Sequence, residues 1–279
     1  MKINEIEMSR FAATVAAIAG FEAPRESEPP IDWLVCLFGQ YCREPIDRVF
    51  IYNSDCVPMY MYDKYPGIFE PVIKNTLVAV PVHSAIPAVT PVNFATMYTG
   101  AQPSVHGIKE YVKPVVKTDT LFDSARRSGK KVALFTLYDT GTMTNIFKER
   151  DIDYYLCNSD SEAEAETRRL IDEDNYDFIS SYGMDYDFIQ HRRGPESAWA
   201  MTVLQQQTDR FARLVEHIRE KWKNHNTLII FTSDHGNHPV HTEGNLGDHG
   251  ELGNLAEDVN VMHFWGIVKG LKSLPSPTL

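Results

Sequence analysis

The chain has 279 residues, enough for one large domain or two small ones. Hydrophobic residues make up 43% and charged residues 23%, which supports a sizeable core and excludes disorder as the default state. The net charge of −11 repels phosphate backbones and anionic lipid, so a nucleic-acid-binding surface and a polybasic membrane patch are excluded as readings.

Along the chain, residues 1–44 read as an N-terminal helical extension, broken at Ala23–Pro30 and followed by a second apolar helix over Asp32–Tyr41. The Ala-rich run Phe11–Phe21 could pass for a signal-peptide core. Glu5 and Glu7 lie among the residues before it, whereas a secretory leader begins positive, so an ordinary helix is expected. No apolar run approaches the roughly 18–20 residues of a spanning helix. Four cysteines, none in CxxC spacing, point to reduced thiols and a cytoplasmic setting.

From residue 45 onward the pattern changes to alternating strands and helices. Segments 48–52, 131–138, 176–182 and 227–231 are short apolar runs of the kind found in buried strands. Helices are expected near 120–129, 160–173 and 197–223. The last places Leu204, Phe211, Leu214, Val215, Ile218 and Trp222 on one face. This alternation predicts an α/β fold with a mostly parallel sheet, helices on both faces and no large cap domain. Residues 45–279 would form the catalytic domain, and the tail after Gly270 reads as loose.

Ligands of open α/β sheets bind beyond the carboxyl ends of the strands. Asp55 follows the first strand, Asp187 and His191 follow the third, and Asp234-His235 follow the fourth, with His249 close behind. Aspartate with neutral histidine suits zinc, manganese or iron, and ligands this widely spread can build two metal positions. Asp185, His238 and Asp248 compete for the same roles and read as solvated loop residues. In the segment IPAVTPVNFATMYTGAQPSVHGI (86–108), Pro91 at an early helical position puts Thr90 at a helix N-terminus. There it is either an N-cap or a nucleophile beside an anion-attracting helix end.

That segment resembles the nucleophile helix of the type I phosphodiesterase/nucleotide pyrophosphatase family, within the alkaline phosphatase superfamily. The matching residues are Thr90, Asn93, Thr99-Gly100 and Pro103–Ile108. The order of an early Asp, D-x-x-x-H, Asp-His and a final His matches as well. The resemblance implies an alkaline phosphatase-like fold and two divalent ions, Zn2+ first and Mn2+ second. Asp55, Thr90, Asp234 and His235 would hold one ion, and Asp187, His191 and His249 the other. Thr90 would attack phosphorus and pass through a phospho-threonine intermediate. Asn93 would donate to a phosphoryl oxygen, while His106 is read as structural. Two divalent cations against three aspartates leave one net positive charge, which an ionised Thr90 would cancel, so an incoming phosphate is not repelled.

His235 and His249 are only 14 residues apart, and QHRRGPESA echoes mutase branches of the superfamily. Without a cap to retain an intermediate, a hydrolase of a small-molecule phosphodiester or phosphomonoester is expected. A phosphotransferase or mutase, and a non-catalytic protein that keeps the fold, are the alternatives. A homo-oligomer is compatible with all of these.

Overall fold

The computed structural model describes residues 6–138, 141–250 and 255–271. The expected loose tail falls, from residue 272 on, outside the described residues. Among the described residues there are ten strands: β1 (Ile6–Glu7), β2 (Arg48–Ser54), β3 (Val78–His83), β4 (Val132–Leu137), β5 (Asp153–Cys157), β6 (Phe178–Gly183), β7 (Thr227–Thr232), β8 (His238–Thr242), β9 (Asn245–Asp248) and β10 (Asn260–Val268). Eight form one sheet in the order β1-β3-β10-β7-β2-β6-β4-β5, and β8 with β9 makes a separate hairpin. Every neighbouring pair in the large sheet is parallel except those of β10, which runs antiparallel to both β3 and β7.

All residues of β2, β4, β6 and β7 are buried, because helices cover both faces and alternate side chains must pack on opposite sides. Strand β2 shows the alternation directly. Phe50 and Tyr52 meet Phe211 of the long helix Ala198–Lys221. Asn53, one residue on, faces the other way and accepts a hydrogen bond from Tyr98 Oη, 2.8 Å away, on the helix Thr90–Thr99. The expected helices appear as Leu121–Arg127, Asp160–Glu173 and Ala198–Lys221. Thr120 and Asp123 form a capping box on the first, and Ser159 and Ser197 cap the other two.

The segment before Pro45 joins the same core. Ile6–Glu7 pairs with Val82–His83, and Phe11 of the helix Phe11–Ala19 packs against Tyr98 and Trp265. Gly100 ends the helix Thr90–Thr99 at φ +69°, and a Cβ there would sit 2.5 Å from Ser27 Cβ. The Thr-Gly pair therefore lets residues 23–30 pass close over the helix end.

Asp160 is a structural residue that sequence reading left inside its helix. Its carboxylate is 1% exposed and accepts the backbone N–H groups of Met184 (2.9 Å) and Asp185 (3.2 Å). It also pairs with Arg210 at 3.2 Å and receives Gln207 Nε2 at 2.5 Å. It thus fixes the start of the helix Asp185–Arg193. Asp160→Ala would unpair the Met184 and Asp185 N–H groups and leave Arg210 to Glu164, 3.1 Å away, and should cost about 1–3 kcal/mol in urea unfolding; an unchanged midpoint would contradict this role.

Candidate active site

Three strand ends and two loops deliver the candidate residues to one place. Asp55 follows β2, Asp234 and His235 follow β7, and Asp187 and His191 lie one turn apart on the helix after β6. Thr90 is the first residue of its helix, and the position before it, Val89, carries no side-chain cap. The threonine hydroxyl therefore does not cap. Its Oγ1 lies 3.1 Å from His235 Nε2.

The three histidines share one arrangement. Nδ1 of His235 contacts the Gly236 carbonyl at 3.0 Å, that of His191 the Gly247 carbonyl at 2.8 Å, and that of His249 the Ala88 carbonyl at 2.9 Å. A carbonyl only accepts, so each Nδ1 carries a proton and Nε2 is the nitrogen turned inward; His235 and His249 present a lone pair there, whereas at His191 the cost of burial is outweighed by Asp187, which raises the ring to about 9. Every Nε2 then faces aspartate. His235 Nε2 is 3.5 Å from Asp55 Oδ1 and 3.3 Å from Asp234 Oδ2. His191 and His249 approach Asp187 Oδ1 at 3.3 and 3.6 Å. The donor atoms fall into two sets, Asp55–Asp234–His235 and Asp187–His191–His249, each within 4.8 Å of one another. The rings of His235 and His249 stack at 4.0 Å, so the two sets abut.

The electrostatics match cation binding. Burial and the neighbouring Asp234 and Asp187 raise the Asp55 carboxyl far above its usual range. Burial, with Asp187 adding to it, raises Asp234 to about 7. Asp55 Oδ1 and Asp234 Oδ2 are buried and accept no hydrogen bond, although the opposite oxygens are satisfied by Tyr182 Oη and by the Cys56 N–H. Two buried carboxylates with their free oxygens aimed at one imidazole nitrogen form an incomplete coordination shell, and a divalent cation would complete it. Burial also lowers His235 and brings His249 to about 4, keeping both rings neutral as ligation requires.

A cavity of about 400 Å3 opens beside these groups. It is lined by Thr90, Asp187, His191 and His249, with Glu110 and Tyr111 on the far wall. A second cavity of about 430 Å3, between Phe21, Phe38 and Asp47, contains none of the candidate residues.

Asn93 departs from expectation. It is fully buried, accepts the Ala85 N–H at 2.7 Å and turns its amide toward the carbonyls of Ala85, Pro87 and Val89. It lies one helical turn after Thr90 on the side facing this loop, so the carboxamide braces the loop instead of reaching the cavity. His106 is structural, as expected: its Nε2 bonds Thr96 Oγ1 at 2.9 Å and its Nδ1 accepts the Ile108 N–H. His238, expected in a solvated loop, is 6% exposed and paired with Asp258 at 2.7 Å. The other oxygen of Asp258 accepts the N–H of Gly250, next to His249, at 2.9 Å. Gly236 is required by close approach, since a Cβ there would collide with the Glu257 carbonyl. Tyr182 and Tyr111 carried no local signal in the sequence; only the convergence of separate strands and loops reveals them.

Fold and donor sets together define an α/β protein with two adjoining groups of candidate metal ligands at the carboxyl ends of its central strands. The family model described as type I phosphodiesterase/nucleotide pyrophosphatase matches residues 58–269, and the chain belongs to that family. Among solved structures, murine ectonucleotide pyrophosphatase/phosphodiesterase 5, in an inactive form bound to AMP, is similar at 19% identity and TM-score 0.58. That match covers 71% of this chain and 59% of the murine one. Phosphonoacetate hydrolase from Sinorhizobium meliloti 1021, in complex with phosphonoacetate, is similar at 18% identity and TM-score 0.54, over 71% of this chain and 58% of that one. The chain thus spans less than two thirds of the length of these solved relatives. No curated protein sequence matches it.

Asn93→Ala should lower stability by about 1–3 kcal/mol, because the buried Ala85 N–H loses its acceptor. Thermal unfolding checks this, and an unchanged midpoint would return Asn93 to a role in the chemistry.

Proposed function

We propose that the chain is a two-metal phosphohydrolase acting on a small-molecule phosphodiester or phosphomonoester through Thr90. The carrying observation is that Thr90 Oγ1 lies 3.1 Å from His235 Nε2, where the unsatisfied oxygens of Asp55 and Asp234 also converge. Asp55, Thr90, Asp234 and His235 would hold one cation, and Asp187, His191 and His249 the other. Bound there, the two cations supply counter-charge to the threonine oxygen and to the charge developing on the phosphoryl group.

The residues themselves do the positioning. The backbone carbonyls of Gly236, Gly247 and Ala88 hold the three imidazoles in one tautomer, and Tyr182 orients Asp55. Thr90 projects from the first turn of its helix, whose free N–H groups and positive end favour the anionic substrate. Attack by Oγ1 forms an O–P bond while the bond to the alcohol leaving group breaks on the opposite side. Water then cleaves the bond between phosphorus and the Thr90 oxygen, releasing phosphate from a monoester or a phosphomonoester from a diester, and a proton from that water restores the hydroxyl. The AMP and phosphonoacetate held by the similar structures, a phosphate ester and a phosphonate, support a small substrate with a phosphorus oxyanion.

Thr90→Ala should lower turnover of an aryl phosphate or aryl phosphodiester by about 10³-fold or more while the bound metal is retained. Full activity would remove Thr90 as nucleophile. His249→Ala should reduce metal content towards one ion per chain, read by elemental analysis. Two ions retained in that variant would mean that His249 is not a ligand.

A further inference from the structure

The cavity beside the donor sets has one side-chain hydrogen-bond donor still without a role. Of the described residues that line it, Asp187, His191 and His249 form a donor set and Thr90 supplies the attacking oxygen. Glu110 and Asp248, when ionised, only accept. Asn93, expected to donate to the phosphoryl group, turns its amide into its own loop. The remaining donor is the phenol of Tyr111 on the far wall.

Local backbone fixes this residue. The Val112 N–H bonds the Glu110 carbonyl at 2.7 Å, which closes a tight turn with Tyr111 at its apex. The residue is 59% exposed, so it adds little to the core. Its hydroxyl nevertheless senses the site. Partial burial, then the charges of Asp55 and Asp187, raise the phenol above its usual value, against a hydrogen bond from Thr142 in the first turn of the helix Thr142–Ile146. Carboxylates from both donor sets thus act on one oxygen, which places the hydroxyl end of the ring toward them. Such a phenol keeps its proton at neutral pH and remains a donor.

We infer that Tyr111 is a catalytic residue whose hydroxyl donates a hydrogen bond to a non-bridging phosphoryl oxygen as Thr90 attacks. This rests on the reading proposed above, in which Thr90 is the nucleophile. During attack the phosphoryl oxygens swing into one plane and share the developing charge. A donor on the wall that meets one of them best in that planar arrangement favours the transition state over bound substrate. The phenol gives up no proton; the bonds that form and break are those at phosphorus. Thr142 bonds the phenolic oxygen, which leaves its hydrogen for the substrate.

The test uses the full chain loaded with Zn2+, as wild type and Tyr111→Phe, with an aryl phosphate and an aryl phosphodiester as substrates. The variant removes only a hydroxyl from an exposed ring, so bound metal per chain and the melting midpoint should match wild type. Expected is a fall in kcat of about 100-fold, with KM changed less than about threefold. Inhibition by orthovanadate, which adopts the trigonal-bipyramidal geometry, should weaken about tenfold while inhibition by inorganic phosphate changes less than about threefold. Unchanged kcat in the variant, with wild type active, would overturn the role of Tyr111 and leave the two-metal reading standing. A loss confined to KM would overturn it too, since the hydroxyl would then serve bound substrate and transition state alike. A fall in kcat accompanied by lost metal or a lowered midpoint would make the phenol structural and likewise overturn the inference. A metal-loaded wild type that turns over neither substrate would overturn both readings together.

Discussion

The site depends on one constraint: each of three imidazoles donates its Nδ1–H to a backbone carbonyl. Gly236 and Ala88 lie in loops and Gly247 in β9, yet each fixes a ring so that Nε2 turns inward. A side-chain partner could rotate or titrate; a main-chain carbonyl on a packed loop does neither. The aspartates then have one direction in which their free oxygens can point, and buried like charges accumulate there. Such an arrangement is costly without a cation and favourable with one. The acidic protein surface and the cation-hungry pocket therefore serve different ends.

The sheet supplies the rigidity this arrangement needs. Strands β2, β6 and β7 are adjacent and parallel, so their carboxyl ends, with the residues that follow them, lie along one edge. Asp160 extends that rigidity to the helix carrying Asp187 and His191 by binding its first N–H groups. Asn93 does the same for the loop that leads into the helix Thr90–Thr99. The buried polar groups around the centre are thus fastened to backbone, which holds ligand positions without recruiting further charge.

Much of this was legible in the sequence because the decisive signals are local. Thr90-Pro91, Asp234-His235 and the spacing of Asp187 to His191 sit in short segments whose neighbours announce strand ends and helix starts. The central strands were legible for the same reason, being unbroken apolar runs. The strands that escaped notice lack that signature. β3 contains Pro81, tolerated where its outer side is covered only at Val82 and His83. β5 is an edge strand with largely exposed residues, and β10 carries His263 and Gly266 within its run. Asn93 misled because a motif position does not say which way a carboxamide turns. Tyr182, Tyr111 and Asp258 acquire meaning only when distant segments meet, and no single window of sequence holds that information.

The antiparallel strand of the large sheet bears on the candidate site. Because β10 runs against its neighbours, its beginning reaches the edge where the candidate residues gather, and Asp258 just before it clasps both His238 and the amide beside His249. That carboxylate thereby latches the loop of His249 to the sheet. Fraying of the strand would register first as a loosened imidazole, ahead of any loss of overall shape.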